Sequence, residues 1–133
     1  MGMEEKHLDV LQNIEFAIVA TYRKHPKMTD YEVMRVLEAV IDGYKAETLG
    51  RAPREFAPSE MEADLHGAVH DMCQWRLGRG GLGEDTPRKP PAPQPVTVDT
   101  IILCLKQILK SVVKSNKSGG QTGYLDFIVR YVR

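Results

Sequence analysis

The stretch at residues 99–116, DTIILCLKQILKSVVKSN, determines what kind of fold this 133-residue chain can adopt. Its apolar residues recur every three or four positions, which is the spacing of one face of an α-helix. On a helical wheel they cover about half of the circumference, more than a single neighbouring helix would cover. The stretch therefore predicts an amphipathic helix that packs in a bundle with several others.

Four other segments show helical periodicity, and none shows the alternation of a β-strand. The five predicted helices run from about Glu4 to His25, from Thr29 to Gly50, from Ser59 to Leu77, from Asp99 to Asn116 and from Thr122 to Val132. We therefore predict an all-α protein folded as a five-helix bundle. The three N-terminal helices form most of this bundle, and a C-terminal pair of one long and one short helix completes it.

Capping boxes mark the starts of the second and third helices, in the sequences TDYE from Thr29 and SEME from Ser59. The hydroxyl accepts the N–H three residues on, and the glutamate reaches back to the N–H of the hydroxyl residue. Thr97 or Asp99 is expected to cap the fourth helix. The first two helices are joined by a short connection, so we expect them to be antiparallel neighbours.

Composition and charge divide the single domain into three parts. Residues 1–77 form an acidic three-helix part, residues 78–96 a Gly/Pro-rich connection, and residues 97–133 a basic two-helix part. As polyproline II, the connection is long enough to carry the fourth helix parallel to the third, or onto another subunit. The net charge of the whole chain is zero, but the opposite charges of its two ends favour their docking on each other or on a second copy.

Residues 78–83 spell G-x-G-x-x-G, the pattern of a dinucleotide-binding turn. That pattern works when the glycines follow a strand and open a helix, whose N-terminal N–H groups face the pyrophosphate. Here the string follows the end of a helix, where the dipole is negative, and it leads into prolines. We therefore interpret the glycines as a helix stop and predict no dinucleotide site.

Glu62, His66 and His70 are the candidate metal ligands, because they lie near one face of the third helix. Histidines four residues apart are spaced as in zinc-binding helices, but the glutamate that follows the first histidine in H-E-x-x-H is replaced by Gly67. A transition-metal site would need ligands from another helix. We therefore interpret the two residues as partly exposed histidines that bind no metal, and we predict no cofactor.

Two features point to a partner. Phe16 lies on the polar side of the first helix, where an aromatic ring gains nothing from water. Ile102, Leu109 and Val113 belong to the wide apolar arc of the fourth helix. These residues are candidates for an interface with a partner protein or a second copy of the chain, although a monomer that buries them all internally is the alternative.

Lys106, Lys110, Lys114 and Lys117 lie opposite the apolar arc of the fourth helix. Such a ladder is a possible anion-binding surface that could follow a phosphate backbone. Interleaved aromatic residues and arginine forks are missing, and a lysine face is typical of the solvated side of an amphipathic helix. We therefore do not predict nucleic acid as the partner.

The remaining sequence features indicate a cytoplasmic protein without a membrane span. The first residues are acidic where a signal peptide is basic, and the apolar run from Ile101 to Leu105 is too short to cross a bilayer. Cys73 and Cys104 are expected to be buried, reduced thiols.

No catalytic arrangement of the Ser/His/Asp or Cys/His kind is evident in the sequence. The leading hypothesis is thus a non-enzymatic module for protein interaction or self-association. A metal-binding protein or metal-dependent enzyme and a nucleic-acid-binding protein are the alternatives.

Overall fold

A computed structural model describes residues 5–80, 94–117 and 120–132 of the chain. These residues form five α-helices: α1 (Glu5–Lys24), α2 (Asp30–Leu49), α3 (Glu60–Arg76), α4 (Val98–Lys117) and α5 (Gly123–Ile128). No strand occurs within those ranges. The prediction of an all-α, five-helix protein is therefore confirmed.

The four long helices surround a common core. Within the described ranges, α1 packs mainly against α3 and α4, and α2 packs mainly against the same two helices. The first two helices therefore face each other across the bundle, although residues 25–29 are all that connect them. The expectation that they would be side-by-side neighbours is wrong, because the wide apolar arc of α4 lies between them on one side and α3 lies between them on the other.

Polar side-chain contacts at both ends show that α1 and α3 are antiparallel. At one end, Arg76 at the end of α3 reaches Asp9 near the start of α1, with 3.1 Å between Nη2 and Oδ2. At the other end, His25 after α1 contacts Asp64 near the start of α3, with 2.7 Å between Nε2 and Oδ2. Arg76 is itself buried and also donates to Asn13.

In contrast, α2 and α3 are parallel. Arg35 near the start of α2 bonds Glu62 near the start of α3, and Glu47 near the end of α2 bonds Arg79 just beyond α3. Two consecutive, parallel neighbours require a connection that returns along their whole length. A helix of 20 residues is about 30 Å long, and the ten residues 50–59 reach about that far when extended. We call residues 51–58 of this connection the strap.

The third helix ends in a Schellman motif centred on Gly78. The N–H of Arg79 donates to the carbonyl of Gln74, that of Gly78 donates to Trp75, and Gly78 has a φ of 76°. This geometry confirms that the first glycine of the G-x-G-x-x-G string is a helix stop. The rest of the string falls largely in residues 81–93, outside the described part of the chain.

The connection from α3 to α4 returns to the end of the bundle from which it leaves. The Val96 N–H donates to the Arg76 carbonyl at 2.9 Å, so the end of α3 and the start of α4 are adjacent. The fourth helix is consequently antiparallel to α3, and of the two courses that the length of the connection would allow, the one parallel to α3 is not adopted. The polyproline course predicted for the connection falls mostly in the residues outside the described ranges.

The predicted helix starts are present, with small differences. Ser59 and Glu62 form the reciprocal capping box of α3, at 3.2 and 3.0 Å. At α2, the Glu32 carboxylate accepts from both the N–H and the hydroxyl of Thr29. Thr97, the first of the two proposed caps of α4, accepts the Thr100 N–H.

The fifth helix is shorter than predicted and is held by Asp30. The fully buried Asp30 carboxylate accepts the backbone N–H groups of Tyr124 (3.0 Å) and Leu125 (3.3 Å), while the Asp30 N–H donates to the Gln121 carbonyl (2.7 Å). The first N–H groups of a helix have no partner within it, so this carboxylate of α2 caps α5. Burial raises the pKa of Asp30, and the two N–H groups oppose that shift.

Replacing Asp30 by Ala is expected to destabilise the protein by about 2 kcal/mol, because two buried N–H groups lose their acceptor. Urea unfolding followed by circular dichroism measures the change. Asp71→Ala, at an exposed position of α3, is the matched control and is expected to change the free energy of unfolding by less than about 0.5 kcal/mol. Equal effects of the two substitutions would contradict the assigned role of Asp30.

Candidate functional site

The strap is fastened to α2 by Asp42. One carboxylate oxygen accepts Nη2 of Arg51 at 2.8 Å, and the other accepts the backbone N–H of Arg54 at 2.7 Å. The hydrogen bonds from Arg51 and from the Arg54 backbone lower the pKa of Asp42. Phe56 holds the far part of the strap, with the guanidinium of Arg35 5.6 Å above its ring centroid.

A cavity of about 550 Å³ lies between α2, α3 and the strap. We call it the strap groove. Its volume falls within the range of small-ligand pockets, roughly 300–1,000 Å³. Most of the lining is apolar or aromatic, and Glu47 and Arg54 add charged groups. The lining residues are Ala39, Val40, Gly43, Tyr44, Glu47, Pro53, Arg54, Phe56, Pro58, Ala63, His66, His70 and Gln74.

Four rings form a row along the groove. Phe56 on the strap contacts His66 with 5.6 Å between ring centroids, His66 stacks on His70 at 6.0 Å, and His70 stacks on Tyr44 at 6.2 Å. Burial, and then the neighbouring His70, lowers the pKa of His66, so this imidazole is neutral at pH 7. The row gives the groove a continuous wall of flat ring surface.

Hydrogen-bonding groups are concentrated at one end of the groove. The Tyr44 hydroxyl accepts from Nε2 of Gln74 at 2.8 Å, and burial raises the pKa of Tyr44 to about 12. The tyrosine thus stays protonated and keeps a hydrogen to donate. Beside it, Glu47 forms a two-bond ion pair with Arg79, with distances of 2.8 and 3.0 Å.

Gly43 leaves the floor of the groove open. A Cβ atom built at this position would meet no heavy atom within 4 Å. Gly67 on α3 has the same free space, but it does not line the groove. The pair is therefore suited to matched substitutions.

The three candidate metal ligands are not brought to one point. Glu62 is buried and turned toward α2, where it accepts Nε of Arg35 at 2.7 Å as well as the Ser59 N–H. His66 and His70 are adjacent, but their rings are 9° from parallel, so their nitrogens do not converge. No group of three or more His, Cys, Asp or Glu that could hold a metal ion is found in the described residues.

The proposed interface residues lie in different surroundings. Phe16 is 43% exposed, as expected for a residue on the outer face of α1. Ile102 and Leu109 are half-buried and pack against the core, and Val113 is half-buried. Most of the wide apolar arc of α4 is thus covered by the chain itself.

All four lysines of the proposed anion-binding surface are exposed on α4. Lys106 lies close to Lys45 of α2 and lowers its pKa. Both cysteines are buried and free, and burial raises the pKa of Cys73 to about 12 and that of Cys104 to about 11. Neither thiol has the thiolate character that a nucleophile needs.

Sequence reasoning missed the strap groove, because residues 51–58 have the composition of a plain loop. The available signal was Phe56, a large aromatic residue in a loop bounded by prolines. Comparison with known proteins found no family model, no curated protein and no solved structure that matches this chain. None of the described helices is long and apolar enough to cross a membrane.

Replacing Asp42 by Ala is expected to release the strap, because the Arg51 guanidinium and the Arg54 N–H lose their common acceptor. Hydrogen exchange should show the Arg54 amide losing its protection, while Glu38→Ala, an exposed position one turn earlier, leaves it unchanged.

The contact between Asp42 and the strap should also depend on pH. A carboxylate with a lowered pKa keeps its contacts until the pH falls through that pKa. The Arg54 amide shift should therefore titrate below pH 3.8, the ordinary value for an aspartate. An Arg54 amide shift that titrates at or above pH 3.8 would contradict the role of Asp42 in holding the strap.

Proposed function

We propose that this protein is a non-enzymatic interaction module whose strap groove receives an apolar or aromatic side chain of a partner protein, which includes a second copy of the chain. The observation that carries this proposal is the row of four rings along an open groove. Aromatic surfaces that are partly exposed in concave sites are typical of the anchor pockets of protein interfaces. The Tyr44 hydroxyl and Gln74 would orient the polar edge of an inserted ring.

The polar groups of the groove support binding over catalysis. His66 is neutral, is stacked on His70 and contacts the tilted ring of Phe56, and Glu47 is paired with Arg79. A catalytic acid or base must reach a substrate proton at hydrogen-bond distance with a pKa near the working pH. Burial moves the pKa of Tyr44 far from that range.

Two features support self-association in particular. Leu49 is 69% exposed at the end of α2, a few residues beyond the lining residue Glu47, and Phe16 is exposed on α1. The acidic and basic parts of the chain also provide complementary charge between copies.

The two other roles have less support. A transition-metal site would need His66 and His70 to turn and Glu62 to leave Arg35. Nucleic-acid binding would rest on the lysines of α4 alone, without the aromatic or arginine contacts that accompany phosphate binding.

Filling the groove is expected to weaken binding of an aromatic probe. In ¹⁵N-edited NMR titrations, N-acetyl-tryptophanamide should shift the amides of α2, α3 and the strap. Gly43→Phe should weaken this binding by about tenfold or more, because the new ring occupies the floor of the groove. Gly67→Phe places the same ring outside the groove and should leave the affinity unchanged. Absence of binding to the wild-type protein, or equal effects of the two variants, would refute the groove as a binding site.

Self-association is expected to appear in the micromolar range and to weaken on replacing Phe16 by Asp, because a charge would replace apolar surface at the interface. Sedimentation equilibrium across that range measures it, and circular dichroism verifies the fold of the variant. A strictly monomeric wild-type protein would remove self-association and leave a different protein as the partner.

A further inference from the structure

Another cavity, of about 370 Å³, lies where the end of α3 meets the start of α4, beside the first turn of α1. It is lined by His7 of α1, Arg76 of α3, residues 94–97 ahead of α4, and Thr100 of α4. None of these residues lines the strap groove. We call it the Arg76 cavity.

The guanidinium of Arg76 lacks one of its acceptors. Arg76 is only 5% exposed, and its two terminal nitrogens donate to Asn13 at 2.6 Å and to Asp9 at 3.1 Å. The other oxygen of Asp9 accepts the Val10 N–H, and the buried Nε of Arg76 has no partner within the described ranges. A buried N–H of a charged group is costly to leave without an acceptor. An acceptor that enters the cavity would relieve that cost.

His7 provides a second unpaired nitrogen at the same cavity. Its Nδ1 is buried and has no partner among the described residues, although the side chain as a whole is only half-buried. The thiol of Cys104 donates to the His7 carbonyl at 3.6 Å, which places His7 between α1 and α4. Nδ1 can carry a hydrogen in the neutral or in the charged imidazole. One acceptor group with two oxygens could therefore satisfy both His7 and Arg76.

The start of α4 adds polar groups that favour an anion. Oγ1 of Thr97 accepts the Thr100 N–H at 3.2 Å, and the two threonine hydroxyls lie 3.1 Å apart. A single hydrogen joins two hydroxyls, so the hydrogen of the second one is not used between them. The first N–H groups of this 20-residue helix also give its start a partial positive charge.

Two carboxylates oppose an anion at this place. Asp9 pairs with Arg76, and Asp99 lies in the first turn of α4, but both side chains are exposed. Water and salt screen exposed charges, whereas the buried guanidinium is screened much less. The two carboxylates repel a doubly charged phosphate more strongly than a singly charged group. The cavity therefore favours a carboxylate over a phosphate.

We propose that the Arg76 cavity binds a small monocarboxylate. One oxygen of the ligand accepts from Nε of Arg76 and the other from Nδ1 of His7, while its short alkyl chain contacts Pro95 and Val96. Both nitrogens are shielded from water, so the half-buried His7 ring turns to admit the ligand. This site is independent of the strap groove.

The test uses butyrate as the probe and butyramide as its uncharged matched ligand. In ¹⁵N-edited NMR titrations of the full chain, butyrate should shift the Nε–H signal of Arg76 and the amides of residues 96–100, with a millimolar dissociation constant. Butyramide should bind at least about tenfold more weakly, because it lacks the negative charge. Inorganic phosphate should also bind more weakly than butyrate, because Asp9 and Asp99 oppose its second charge.

Two substitutions remove the donors one at a time. His7→Phe keeps an aromatic ring without a donor and should weaken butyrate binding about tenfold, whereas His70→Phe, in the strap groove, leaves it unchanged. Arg76→Lys keeps the positive charge but removes Nε, and it should weaken binding by a similar factor. Circular dichroism shows whether each variant is folded. If Arg76→Lys is not, the comparison of His7→Phe with His70→Phe decides.

Butyrate binding that is absent up to about 50 mM, that is matched by butyramide or exceeded by phosphate, or that responds equally to His7→Phe and His70→Phe would overturn the proposal.

Discussion

The parallel packing of α2 and α3 is the constraint on which the rest of this structure depends. Consecutive helices joined by a tight turn must be antiparallel, so two parallel ones leave the chain an entire helix length to recover. The strap covers that distance in an extended conformation, and Asp42 fixes its course over the seam between the helices. A groove arises because an extended chain is narrower than the helix that would otherwise fill the seam.

Local signals in the sequence were sufficient to place the helices. The caps at Ser59 and Thr97 and the stop at Gly78 are interactions between residues a few positions apart, and sequence spacing reports such interactions directly. The arrangement of the helices was not accessible in the same way. A short connection between α1 and α2 sets their opposite directions, but it leaves open whether they lie side by side or across the core.

The candidate sites likewise show that sequence spacing predicts contacts within one helix but not contacts between helices. The spacing of His66 and His70 correctly placed them side by side, because both lie on one helix. Glu62 was a candidate ligand beside them, yet it is bound to Arg35, 27 residues away along the chain. Likewise, Glu15 meets two tyrosines more than 100 residues away. Contacts of this kind follow from tertiary packing, which periodicity and motif spacing do not encode.

The capping of α5 by a carboxylate of α2 has a consequence for the order of folding. Six residues are too few to nucleate a helix on their own in water. The N–H groups of Tyr124 and Leu125 find their acceptor only when the start of α2 has been formed and placed beside them. We therefore expect the C-terminal segment to close the bundle late, after the N-terminal half is in place. The strap groove is lined by α2, α3 and the strap alone, whereas the space between α1, α4 and α5 is enclosed only when the C-terminal segment is docked.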